Sequence, residues 1–156
     1  MSTKARLQDD LKQAMRDGDE RRKSTIRMLL AAIRYAEDQK TGAGVAGPGV
    51  LTDKEIEQVI TRDVKRRREA VDELARAGRE ERLAEEQAEL RILEEYLPKQ
   101  LTREEIAARA QAVIDEIGAT GPAQAGEVMK RLAPALKGLA DGRLVNEVVR
   151  ELLAGR

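Results

Sequence analysis

Pro98 interrupts a chain that otherwise reads as helix almost from end to end. Before it, Ile92, Leu93 and Leu97 continue an apolar repeat of helical period. Proline has no N–H to donate and disfavours helical geometry in the residue before it, so the run must stop there. Thr102 then opens a new helix. Its hydroxyl can accept the Glu105 N–H and the Glu105 carboxylate can reach back, which makes a capping box. Long charged helical patterns precede this joint, and short Ala- and Gly-rich ones follow it. The expectation is an all-α chain in two parts. Residues 1–97 form an antiparallel helical bundle with a long hairpin, and residues 98–156 form a small three-helix module.

Taken in order, Leu7, Leu11, Ala14 and Met15 form one stripe of a first helix that starts near Ser2 or Thr3 and ends at Gly18. Asp19 caps a second, with Ile26, Leu29, Leu30, Ile33 and Ala36 inward, Tyr35 at the edge, and an end near Lys40. Thr41–Val50, rich in glycine, is a loop. With no preceding strand and no Gly-Lys-Ser/Thr ending, it does not cradle phosphate. Thr52 and Glu55 form a second capping box, opening a helix with Ile56, Val59, Ile60, Val64, Val71 and Leu74 that ends near Ala77. A turn at Gly78 returns the chain as a partner helix carrying Leu83, Ala84, Leu90, Leu93 and Leu97. Beyond the joint come a helix from Ile106 to Ile117, a break at Gly121-Pro122, and a short helix around Glu127–Leu132 that Pro134 kinks or restarts. Asp141 caps a last helix with Leu144, Val145, Val148, Val149 and Leu152 inward.

Composition narrows the chemistry. The 29 basic and 29 acidic residues cancel, so binding to nucleic acid needs a local patch. Tyr35 and Tyr96 are the only aromatic residues, which argues against stacking bases on an aromatic platform. Without cysteine or histidine there is no disulfide, no Cys/His metal site and no Ser-His triad. No stretch approaches the ~18 apolar residues of a membrane span, and Met1-Ser2-Thr3-Lys4 lacks the apolar core of a signal peptide. The expectation is a cytoplasmic protein with no cofactor, no metal, no catalytic residue, and neither membrane nor DNA as partner.

Two basic features remain. Arg62, Lys65, Arg66, Arg67 and Arg68 cannot all face one way on a helix, and Glu80, Glu81, Glu85, Glu86 and Glu89 on the next helix balance them in part, so they read as a solvated face. The second is the turn Gly138-Leu139-Ala140-Asp141-Gly142-Arg143. Gly138 ends one helix and Asp141 starts another. Lys130, Arg131, Lys137 and Arg143 lie around this turn, and Gly138 and Gly142 let backbone come close to a partner. Helix N-termini and such donors suit phosphate, so these six residues are the candidate RNA-binding site.

Arg27-Met28-Leu29-Leu30-Ala31-Ala32-Ile33, Lys65-Arg66-Arg67-Arg68-Glu69, Ala77-Gly78-Arg79, Ile92–Pro98, Gly126-Glu127-Val128-Met129, Pro134 and Gly138–Val145 together resemble the GatB/YqeY family, and within it the stand-alone YqeY-like proteins. The resemblance covers nearly the whole chain. It implies an all-α fold whose C-terminal module is similar to the tail of the tRNA-dependent amidotransferase B subunit. That enzyme amidates Glu-tRNA(Gln) or Asp-tRNA(Asn), and its tail helps hold the tRNA. The catalytic cradle of that subunit and the Ser/Ser/Lys amidase signature have no counterpart here, and Leu139 stands where relatives often have a lysine. The leading expectation is a tRNA-binding accessory module, with an amidotransferase or an aminoacyl-tRNA synthetase as a further partner. The alternatives are a subunit with carbon–nitrogen ligase activity using glutamine as amide donor, and a protein–protein adaptor using the outer faces of the long hairpin.

Overall fold

A computed structural model describes residues 1–42 and 49–155. Its elements are α1 (Thr3–Asp17), α2 (Glu20–Gly42), α3 (Asp53–Arg76), α4 (Glu80–Glu94), α5 (Arg103–Ile117), a 3-10 turn at Pro122–Gln124, α6 (Ala125–Leu136) and α7 (Gly142–Ala154). No strand occurs among the described residues. Contacts divide the chain into two compact units, Met1–Leu97 and Pro98–Arg156.

Helix ends follow local side-chain chemistry. Ser2, Thr52 and Thr102 accept the N–H groups of Ala5, Glu55 and Glu105 at 3.1, 3.2 and 3.1 Å. Asp19 does the same for Arg22, and Asp141 for Arg143. Only the first half of each expected capping box forms: the Glu55 carboxylate goes to Lys40 instead. Gly18 and Gly78 take left-handed conformations at the two hairpin turns, where a Cβ would be strained. The expected Thr41–Val50 loop lies at 43–48 outside the described residues, and α2 continues to Gly42. The chain re-enters tightly beside α2: a Cβ on Gly49 would meet Glu37 O and Lys40 Cβ at 3.0 Å.

In the first unit, α1 and α2 form one hairpin and α3 and α4 another, packed together. Their core comprises Leu7, Ile26, Leu29, Ile33, Leu51, Ile56, Ile60, Val64, Ile92, Leu93 and Tyr96. Two expectations are corrected here. Met15 leaves the α1 stripe and is 53% exposed, because it sits 100° past Ala14, on the side facing solvent. Ala84 is exposed, since the distal part of the α3–α4 hairpin has no third helix to bury it. Tyr96, which the apolar line through Ile92, Leu93 and Leu97 leaves out, belongs to the core. At about 1.5 Å per residue α3 is about 36 Å long, yet beyond Arg67 none of its residues is fully buried. The outer hairpin is held mainly by its own two helices.

In the second unit α5, α6 and α7 pack pairwise around Ile106, Ala110, Ile114, Val128, Leu132, Leu136, Val145, Val148, Val149 and Leu153. Leu153 is the buried leucine near the C-terminus, and Leu152 packs at the margin. Helix α6 runs through Pro134 without restarting. The proline ring is exposed, and it lies in the last turn, so the one bond it cannot donate, to Lys130 O, falls near the end of the helix.

Candidate nucleic-acid interface

The turn between α6 and α7 is built by two local devices and one long-range clasp. Gly138 adopts φ +81°, a conformation that favours glycine. The Leu139 and Ala140 N–H groups both donate to Leu136 O, at 2.9 and 3.2 Å. The segment that enters the module then grips the turn. Leu101 N–H donates to Leu139 O at 2.8 Å, and Gln100 Nε2 donates to both Gly138 O and Pro98 O, at 3.0 and 2.9 Å. Sequence reading had no signal for Gln100, which binds backbone 38 residues away. Gly142 differs from Gly138: it lies in ordinary helical conformation, and a Cβ there would meet nothing within 4 Å.

Helical geometry sorts the cations. Lys130 on α6 and Lys137, the residue that caps its C-terminus, are exposed and seven residues apart, a spacing that returns to the same side of a helix about 10 Å along its axis. Arg131 points about 100° away and pairs with Glu116 of α5 at 3.7 Å. Arg143 is exposed in the first turn of α7, and its N–H is the one Asp141 caps. The structure therefore aligns Lys130 and Lys137 beside the turn, turns Arg131 toward an acidic partner, and leaves Gly142 as open backbone at a helix N-terminus. In the same module Arg103 is held by Glu151 at 2.6 Å and Glu147 at 3.7 Å. The hydrogen bond to Glu151 is the main reason its guanidinium is held more firmly protonated than usual.

The basic run of α3 divides differently. Arg67 is only 8% exposed and spans the hairpin, with Nη1 2.5 Å from Glu89 and 3.3 Å from Glu86 and with Asp63 beside it. Arg66 pairs with Asp63, and Arg68 approaches Glu94 at 3.6 Å. Only Arg62 and Lys65 remain as exposed cations without a partner among the described residues.

A third polar cluster closes the bundle and was not visible in the sequence. The Tyr96 hydroxyl donates to Asp10, and Arg6 stacks over its ring, 4.7 Å from the centroid. Arg22 grips Glu95 with two bonds, at 2.7 and 3.0 Å. Burial, and then the bond to Asp10, push the Tyr96 hydroxyl well above its usual range. The Arg22 hydrogen bonds hold the Glu95 carboxyl below its usual value. Each group is thus fixed in the protonation state it already has at neutral pH, which suits a clasp and not proton transfer. Among the described residues no acidic cluster is arranged to hold a metal ion, and no helix is long and apolar enough to cross a membrane.

These features define a class: a small all-helical protein with a four-helix bundle and a three-helix module. The chain belongs to the YqeY-like family, since the family model described as Yqey-like protein matches residues 4–153. Three curated relatives share the name Altered inheritance of mitochondria protein 41, mitochondrial. The Eremothecium gossypii protein is 32% identical over 74% of this chain and 61% of its own length. The Pyrenophora tritici-repentis protein is 29% identical over 97% and 81%, and that of Kluyveromyces lactis 32% identical over 76% and 62%. The chain thus spans about three fifths of the length of two of these relatives. Their names correct one expectation: the cytoplasmic placement does not stand, because these relatives are named as mitochondrial proteins. The reason it misled is physical. Absence of cysteine and of long apolar runs does not say in which compartment a chain works.

Proposed function

We propose that this protein is a tRNA-binding accessory factor, related in its C-terminal module to the tail of the tRNA-dependent amidotransferase B subunit. The observation that carries this reading is the alignment of Lys130 and Lys137 on one side of α6, beside a turn fixed by Gln100 and Leu101. Two cations, open backbone at Gly142 and the N-terminus of α7 offer donors to a few phosphates of a folded RNA. This module has no aromatic residue, so recognition is of shape and phosphate rather than of splayed bases. An amidotransferase or an aminoacyl-tRNA synthetase is the natural further partner. A carbon–nitrogen ligase role has weaker support, since the groups with displaced proton affinity sit in structural ion pairs and clasps. The adaptor reading loses its footing on the long hairpin, where none of the exposed large apolar residues lies.

The test is tRNA binding by the whole chain across a range of salt. Lys130→Ala with Lys137→Ala is expected to weaken binding and lower the salt slope by roughly 0.7–0.9 per lost phosphate contact. Arg62→Ala with Lys65→Ala, on α3, is expected to change the slope little. The assignment fails if the α3 pair abolishes binding while the α6 pair leaves affinity and slope unchanged.

A further inference from the structure

Helix α2 has an outward face that the bundle does not use. Ile26, Leu29 and Ile33 are fully buried on its inner side. On the other side Ser24, Met28, Ala31 and Tyr35 fall on one line at alternating spacings of four and three, which is the seam of a heptad. Met28 is 56% and Tyr35 67% exposed. Arg27 and Arg34 run beside the seam at its flanking heptad position, both exposed and neither with a partner among the described residues.

A solvated helix face needs neither a methionine nor a tyrosine. Arginine, tyrosine and methionine are the types enriched where proteins meet. Ala31, between Met28 and Tyr35, leaves a hole that a second helix can approach closely, with the two larger side chains as knobs on either side. Cations at the flanking position select a partner with carboxylates opposite them. We infer that this face docks an acidic amphipathic helix from a partner protein, with an apolar seam over Met28, Ala31 and Tyr35 and Glu or Asp opposite Arg27 and Arg34. An RNA strand would use the arginines but leave Met28 without a role. This site is separate from the proposed RNA surface of α6, and its test does not depend on RNA.

The chain reports on the site itself. It has no tryptophan, and Tyr96 is buried with its hydroxyl engaged, so Tyr35 is its exposed tyrosine. Two synthetic helical peptides without aromatic residues serve as probes: both carry Leu and Ile along the heptad seam, one with Glu and the other with Lys at the flanking positions. The full chain is expected to bind the Glu peptide at least tenfold more tightly than the Lys peptide, and binding should shield Tyr35 from acrylamide quenching. Arg27→Glu with Arg34→Glu should invert that preference while the melting temperature stays the same. Met28→Ala with Tyr35→Ala should weaken binding of the Glu peptide at least tenfold. The inference is overturned if neither peptide binds, if charge reversal does not invert the preference, or if Tyr35 stays open to quencher in the complex. It is also overturned if the face proves to be covered by a second copy of the chain, seen as concentration-dependent self-association that Arg27→Glu with Arg34→Glu abolishes, or if tRNA rather than peptide shields Tyr35.

Discussion

Arg67 shows how a residue's neighbours in sequence can misdescribe it. Within the run Arg62–Arg68 it reads as one more solvated cation, and the even mixture of charges supports that. Its place on α3 lies 100° from Arg66, which turns it into the hairpin, where Asp63, Glu86 and Glu89 surround it. Removing one member of a buried ionic cluster strands the others. Arg67→Ala should therefore lower stability by about 3 kcal/mol, at the low end for such losses because Glu86 and Glu89 keep some access to water. Arg67→Met should recover part of that, since it fills the space without a charge to satisfy; urea titration of both variants checks this. Glu95 supplies a pH dependence. Its folded-state value lies below its ordinary 4.5, so the stability it adds is present above about pH 4.5 and is lost as pH falls through the lower value. Glu95→Gln should cost about 1 kcal/mol at pH 7, as a half-exposed bidentate pair. Melting curves of the two proteins should converge as the medium is acidified, and a constant gap down to pH 3 would deny the role. Tyr96 stayed illegible for a related reason. The apolar line through Ile92, Leu93 and Leu97 leaves it out, and only its partners on α1, 86 residues away for Asp10, make it core.

At the scale of elements, much of the fold was readable. Capping residues at Ser2, Asp19, Thr52, Thr102 and Asp141, and closing glycines at 18, 78, 118 and 138, are local chemistry and act through a few neighbouring atoms. Apolar period likewise fixed the inner faces of α3, α5 and α7. What period could not give was the margin of each face. Met15 and Leu152 lie within a residue of the buried line, where only the position of the neighbouring helix decides their exposure, and Ala84 lies where no third helix reaches. The candidate site shows the same limit. The basic residue types around the turn were legible, whereas their grouping depended on α6 continuing through Pro134 to Leu136 without a kink or restart. The clasp on the turn came from outside the motif altogether. Gln100→Ala removes two hydrogen bonds from its side chain, worth about 1 kcal/mol each at most. It should lower the melting temperature of the module and speed amide exchange at Leu139 and Ala140, while exchange within α5 stays slow. Unchanged exchange at the turn would show that the Leu101 bond suffices alone.

For the molecule as a whole, the two cores share no residue. All the buried residues of the second core lie beyond Pro98, and the clasp on its turn is made by Pro98, Gln100 and Leu101. Residues 98–156 expressed alone should therefore be helical and melt cooperatively. Circular dichroism of that fragment is the check, and a fragment without a cooperative transition would refute its independence.

The Tyr96–Asp10 bond joins the last core residue of the bundle to its first helix. A ribosome makes any chain from its N-terminal side, so Leu7 and Ile26 leave the exit tunnel long before Ile92, Leu93 and Tyr96 can cover them. The α1–α2 and α3–α4 hairpins can form as they emerge, because their partners are neighbours in time as well as in space. The bundle itself cannot shut until the segment just before Pro98 has cleared the tunnel. During that interval the inner faces of two hairpins stand open to water and to chaperones, and the residues that end this exposure are the last ones made before the joint.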